Sequence, residues 1–434
     1  MASPLIAPME KWMPDDKLKN WAGNLEYSTN KIVYPKTAEE ISALIKKHDK
    51  LKILGTRHCF NRIADSKDFF VSLRDMNKVV QLNTAAKTVT IEGGMKYGEL
   101  SPYLDSKGFA LFNLASLPHI SVAGAITTAT HGSGVGNGNL STGVAAIEFV
   151  TADGQITRLT KKDDADKFTG AVVGLGALGA VTKITLDIIP TFSVKQYVFE
   201  NLPLDQLKKH FDEILAAAYS VSLFTDWQSD TVNEVWIKTV DSDKTDFSAV
   251  KEFFGAKAAT KNMHPIAALS AENCTEQMGV PGPWYERLPH FKMGFTPSSG
   301  VELQAEYFVP RKNGLEAYLA ISKLGKEIGP HLFISEIRTI DADDLWMSPC
   351  YREPCTAIHF TWKQEWPAVS KLLPKVEAAL APFDVKPHWG KLFTMAPSLL
   401  RSKYEKLSAF KELVATYDPK GKFRNDFLSR NLYE

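Results

Sequence analysis

Hydrophobic positions in the first 190 residues switch repeatedly between a helical and an extended period. After Pro35, Thr37 and Glu40 form a Thr-x-x-Glu capping box, and Ile41, Leu44 and Ile45 then mark one helical face. Leu51 to Leu54 is a short apolar run ending at Gly55. Thr88 to Ile91 alternates as a strand and stops at Gly93-Gly94, and Leu100, Tyr103 and Leu104 line a helix that closes near Gly108. Strands interleaved with helices predict a mixed α/β region.

Beyond Pro190 the pattern changes. A longer helix is expected from Leu204 to Tyr219, followed by alternating runs: GVELQAEYFV at 300–309, FISEIRTI at 333–340 and AIHFTWK at 357–363. Such runs predict a broad antiparallel sheet with one dry and one wet face. The change of pattern places a domain boundary near residue 195. At 434 residues the chain is too long for one ordinary domain and suits two large ones.

Two glycine-rich stretches need separate treatment. Ser121 to Thr130 reads SVAGAITTAT and runs into HGSGVGNGN. Small residues at a helix start suit either a pyrophosphate, whose oxygens must be reached by backbone N–H groups, or tight helix–sheet packing. Val172 to Gly179, VVGLGALG, matches the dinucleotide fingerprint G-x-G-x-x-G. That fingerprint requires a helix to follow. Here AVTKITL follows, a β-branched alternating run closed by Pro190, so the Rossmann reading fails on context and the glycines serve close backbone approach.

Composition narrows the class. With 44% hydrophobic and 23% charged residues and a net charge of +1, the chain reads as a soluble globular protein with no bias towards nucleic acid or an anionic membrane. Four cysteines in this length make no disulfide framework, and Cys350 with Cys355 is a metal half-site lacking its second half, so no metal is expected. The start, MASPLIAPMEKW, lacks a basic segment and a long apolar run, and no stretch is long enough to span a membrane; the expected location is the cytoplasm.

Candidate chemistry lies in three places. Leu54-Gly55-Thr56-Arg57-His58-Cys59-Phe60-Asn61 follows an apolar strand and gathers polar groups around one glycine, a turn able to aim backbone N–H groups at an anion. Glu336 and Arg338 share one face of a strand, as do His359, Thr361 and Lys363. Two such faces turned the same way make a floor for a substrate with many hydroxyls, each both donor and acceptor. Lys391, in KPHWGKL, stands at a loop end. Drawn into a closed pocket it would have a lowered pKa and take part in proton transfer; otherwise it is a solvated lysine.

Together these pieces resemble the vanillyl-alcohol-oxidase-type flavoproteins, and within them the alditol (xylitol) oxidases, relatives of the aldonolactone oxidases. The resemblance rests on YPKTAEE at 34–40, GTRHCFN at 55–61, SLPHISVAGAITTATHGSG at 116–134, GLGALGAVT at 174–182, SEIRT at 335–339, HFTW at 359–362, HWGK at 388–391 and YDPKGKF at 417–423. It implies an α+β, two-domain fold. Residues 1–195 would bind FAD, 196–395 would form a substrate cap on a large antiparallel sheet, and 396–434 would return to the FAD-binding part. It implies FAD joined covalently to His58 through the flavin 8α-methyl group. Leu54, Gly55, Thr56, Arg57, Cys59 and Asn61 would lie beside the pyrophosphate or ring edge. Ser116, Ser121, Gly124, Thr128, Ala129, Thr130 and His131 would complete the cradle, with Val181 near the adenine. Some relatives carry a second, cysteine tether; residues 113–124 hold no cysteine, so one tether is implied. The polyol would be bound by Ser116, Glu336, Arg338, Thr361 and Lys391. Lys391 and His359 would accept the hydroxyl proton, and Arg338 would offset charge on the reduced flavin. Dioxygen would reoxidise the flavin to give hydrogen peroxide, and Ala115, beside Ser116, leaves it less room than glycine would. A monomer is implied.

Overall fold

The computed structural model describes residues 11–12, 17–293 and 301–434. The N-terminal stretch read for a targeting signal, and Gly300 of the first long strand, lie outside the described residues.

The capping box forms in modified shape. Thr37 Oγ1 accepts from Glu40 N at 3.2 Å, but the Glu40 carboxylate accepts from Lys36 N, one residue before the cap, at 2.7 Å. The helix Ala38–Lys47 buries Ile41, Leu44 and Ile45 against a small sheet. In that sheet Phe70–Val71 lies parallel between Lys31–Val33 and Lys52–Ile53. A second, antiparallel sheet orders Val79–Asn83, Thr88–Glu92, Ala180–Asp187, Val144–Val150 and Ile156–Thr160. Ala180–Asp187 is a strand, as its alternation predicts, so the glycines at 174–179 open no helix.

The third sheet has ten strands and begins with Ser193–Pro203. Towards one end of it Leu332–Ile340, Cys355–Lys363 and Glu302–Pro310 run side by side, all antiparallel. The expected wet face is not wet. All three strands are buried on both faces almost throughout, because helices Gly314–Ser322 and Trp366–Leu380 pack on one side and the other side faces the first part of the chain. The helix expected to reach Tyr219 stops at Leu215; Ala216 N still bonds back to Asp212 O, and the next strand opens at Ser220.

The end of the chain returns to the first sheet. Phe423 is fully buried with Val33, Ile41 and Val71, and Leu51 N donates to Lys422 O. Among the described residues no helix is long and apolar enough to cross a membrane.

Candidate active site

One cavity lies between the first part of the chain and the ten-stranded sheet. One wall is the loop after strand Lys52–Ile53. Thr56 ties this loop to a short helix, Val122–Thr127: its Oγ1 accepts from Ser121 N at 3.1 Å and lies 3.1 Å from His58 Nδ1. Gly55 and Gly124 close on Ser121 from two sides, and a Cβ at either would sit 2.9 Å from Ser121 Oγ. Arg57 (φ 65°), Ala129 (φ 55°) and Leu175 (φ 53°) adopt the left-handed region, which non-glycine residues hold only where their surroundings fix them. All three turns border the cavity, and through them the chain turns backbone towards it.

His58 stands where this wall meets the floor. Its ring stacks on Trp21 at 5.2 Å and lies 4.7 Å from the ring of His119. Burial, then His119 and Lys391, hold its pKa well below the usual histidine range, so the imidazole is neutral. Its Nε2 is buried and has no hydrogen-bond partner among the described residues. An orphaned, neutral, nucleophilic nitrogen on the cavity wall, beside a cradle without side-chain bulk, fits a ring cofactor with a phosphate tail.

Strand register builds the floor. Glu336 pairs with His359, and His359 with Glu306, so these three side chains form one transverse row; Ile334, Thr361 and Gln304 form the next. Arg338 Nη2 donates to Glu306 Oε1 at 2.5 Å, and Arg338 Nε lies 3.6 Å from Glu336 Oε1. Glu306 also meets His131 Nε2 at 3.3 Å and His359 Nδ1 at 3.6 Å. Since His131 comes from the glycine-rich loop, Glu306 links the cofactor-side wall to the floor. Burial alone would raise both glutamate pKa values; Arg338 first, with histidines behind it, outweighs burial and holds both carboxylates ionised. Burial lowers His359, and it pushes His388 down to about 3. Lys391 Nζ donates to Gln304 Oε1 and stands 4.9 Å over the Phe60 ring; burial lowers its pKa, against Glu306.

Comparison with known proteins places this arrangement. Residues 29–160 match the FAD binding domain family, and residues 299–431 match the D-arabinono-1,4-lactone oxidase family. An alditol oxidase from Streptomyces sp. is 44% identical over 412 residues, 94% of this chain and 97% of the relative. The chain belongs to the alditol oxidase family. An L-gulono-1,4-lactone dehydrogenase from Mycobacterium tuberculosis is more distant, at 26% identity over 95% of this chain and 98% of the relative. A cholesterol oxidase from B. sterolicum shares the fold, with a TM-score of 0.77, 15% identity and coverage of 98% of this chain and 100% of that one. The molecule is thus an FAD-dependent oxidoreductase of vanillyl-alcohol-oxidase-type fold.

In this alditol oxidase family member the cavity wall takes in Leu54, Gly55, Thr56, Arg57, His58, Cys59, Ser116, Ser121, Gly124, Thr128, Thr130 and His131 from one side. Glu336, Arg338, His359, Thr361 and Lys391 line the other. Arg338 Nη1 reaches Ser116 Oγ at 3.5 Å, and His359 Nε2 lies 3.2 Å from Thr361 Oγ1. Three expected cradle residues do not line the cavity. Asn61 turns away: its Nδ2 donates to Trp389 O at 2.8 Å and Lys391 O at 2.7 Å, so it pins the lysine loop. Ala129 supplies only the left-handed turn between the helix and Thr130. Val181 is committed to strand pairing with Phe149. Lys363 leaves the row and donates to Pro330 O. Sequence reasoning missed Gln304, Glu306, His290 and His388. Glu302, Gln304 and Glu306 alternate along GVELQAEYFV and share a face, which was the available signal for the first two. His290 lies outside any strand, and no periodicity marks it.

Proposed function

We propose that this protein oxidises the terminal hydroxyl of an alditol such as xylitol or sorbitol to the corresponding aldose, reducing dioxygen to hydrogen peroxide, with FAD tethered covalently to His58. In this reading residues 1–195 and 396–434 hold the cofactor and residues 196–395 carry the substrate floor. One observation carries it: a closed row of ionised and neutral hydrogen-bonding groups, Glu336–His359–Glu306 with Thr361 and Lys391, faces the loop on which His58 keeps an unpartnered nitrogen.

When bound, FAD would supply the acceptor for the carbon-bound hydrogen, as hydride, and the group that dioxygen reoxidises. Gly55, Thr56, Ser121, Gly124, Thr128 and Thr130 would hold its phosphates, and neutral His58 would form the tether. The chain's own groups do the rest. Glu336 accepts hydrogen bonds from substrate hydroxyls, while Ser116 and Thr361 both donate and accept. Each hydroxyl left unpaired in this closed site would cost about 1–3 kcal/mol, which is how the floor distinguishes one polyol from another. Lys391, its pKa lowered by burial, takes the proton of the reacting hydroxyl, with neutral His359 beside it as the alternate acceptor. Arg338 holds the substrate end and offers positive charge towards the cofactor wall. Ala115, buried next to Ser116, is small enough to admit dioxygen.

Peroxide-coupled turnover under air is expected with xylitol and sorbitol; activity confined to galactonolactone would replace the alditol with an aldonolactone as substrate. After acid precipitation, yellow colour should remain in the pellet. In His58→Ala it should stay in the supernatant or be absent, and tethered flavin in that variant would refute the assignment of His58.

A further inference from the structure

A lysine the mechanism does not use lies buried behind the floor. Lys238, on strand Thr231–Thr239, is 1% exposed and does not line the cavity. Three acceptors surround its Nζ: Leu288 O, Pro289 O at 3.3 Å and His290 Nδ1 at 3.1 Å. Burial pushes the Lys238 pKa down to about 7, and in either charge state the amine has N–H groups to donate to this set. His290 does line the cavity, and its Nε2 lies 2.8 Å from Glu336 Oε1. Trp236 and Phe224 meet its ring edge-on at 5.2 and 5.5 Å and keep it from turning.

Two constraints on the ring agree. A nitrogen beside an ionised carboxylate must carry a proton, and a nitrogen receiving an N–H from a lysine must not. Burial leaves the ring neutral, with its pKa down at about 4, so it has one proton to place, and that proton belongs on Nε2. Glu336 Oε1 then receives His290 on one side and Arg338 Nε, at 3.6 Å, on the other. Glu336 Oε2 has no hydrogen-bond partner among the described residues.

We propose that Lys238, which touches neither cofactor nor substrate, is a positioning residue: it fixes the tautomer of His290 and so holds Glu336 with one oxygen occupied and the other presented to a substrate hydroxyl. The proposal rests on the reading of Glu336 as a hydroxyl acceptor. The link explains why a lysine is kept in the sheet, where an apolar residue of its size would pack without a burial penalty. Without the Lys238 donor, nothing keeps the proton off Nδ1. Nε2 would then turn a lone pair on the carboxylate, and Glu336 would swing or take up a proton.

Nitrogen-15 histidine NMR of the flavin-loaded wild-type protein, with His290 assigned by its loss in His290→Gln, should show a neutral ring protonated at Nε2. A ring protonated at Nδ1, or at both nitrogens, overturns the proposal and needs no variant of Lys238 to fold. Lys238→Met should raise KM for xylitol about tenfold, the equivalent of one weakened hydrogen bond, with flavin content and kcat within about twofold. An unchanged KM in a folded, flavin-loaded Lys238→Met also overturns it. Glu336→Gln separates the two readings. If it leaves KM for xylitol unaltered, the role of Glu336 itself fails; if it raises KM while Lys238→Met does not, only the relay fails.

Discussion

The two walls of the cavity are made in opposite ways. The cofactor side is a matter of backbone: a loop, a six-residue helix and turns at Arg57, Ala129 and Leu175, with glycines where a methyl group would intrude. The substrate side is a matter of side chains: three adjacent strands hold carboxylates, a guanidinium and imidazoles in rows set by register, all nearly shut off from water. The first wall should therefore be sensitive to added atoms, and the second to a removed charge. It also follows that the floor is rigid only while its charges balance, since each of its ions is held in place by another.

Four substitutions test that contrast, taken from the largest expected effect. Lys391→Met should lower kcat by about 10²–10⁴ while flavin content stays at the wild-type level, measured by peroxide release and flavin absorbance. Loss of flavin in this variant would mean that the lysine belongs to the cofactor wall. Glu306→Leu should cost about 3–5 kcal/mol of stability, because it leaves the buried Arg338 guanidinium without its closest counter-charge. Adding Arg338→Met should recover more than half of the lost unfolding midpoint, and additive losses would show the pair to be uncoupled. Gly132→Ala tests the packing behind the other wall, one residue from His131. Its Cβ would come within 2.5 Å of Leu114 O, so about 1–3 kcal/mol of strain is expected, with flavin occupancy falling before the substrate KM changes.

The smallest effect depends on pH and lies away from the site. Burial raises the pKa of Glu234 to about 7 against the 2.6 Å hydrogen bond from Trp236 Nε1. Its folded pKa is above the unfolded value of 4.5, so the folded state keeps a proton that the unfolded state releases as pH rises from 4.5 to about 7. Wild-type stability is lost across that window, and the full penalty is present above it. Glu234→Gln does not titrate. Its unfolding free energy relative to wild type should climb by about 1–2 kcal/mol between pH 4.5 and 7 and then level off. A flat difference would place Glu234 in contact with water.

What could be read from the chain divides along the same line. The backbone wall was legible where it is local: GTRHCFN and the glycines of the HGSG segment are contiguous, and their small residues announce a close approach. Asn61 shows where that reading stops. It belongs to the same segment, yet its partners lie more than 300 positions away, and composition does not reveal which way an amide points. On the floor, period two placed Glu336 with Arg338 and His359 with Thr361. That the two pairs face one another needed strand order, and Glu306 became central only once its strand lay beside His359. The wet face failed for a physical reason: alternation shows which side of a strand is polar, and here that side lines the cavity rather than the outer surface of the molecule.

The pinning of the His58 loop has a consequence for how the molecule is made. Phe60 N donates to Gly390 O at 2.7 Å, and Asn61 holds the carbonyls of Trp389 and Lys391. A nascent chain therefore carries His58 for some 330 residues of synthesis before the strap that shapes its loop leaves the ribosome. Flavin acquired earlier would meet an unfinished socket, so the tether proposed at His58 would form in the last act of maturation.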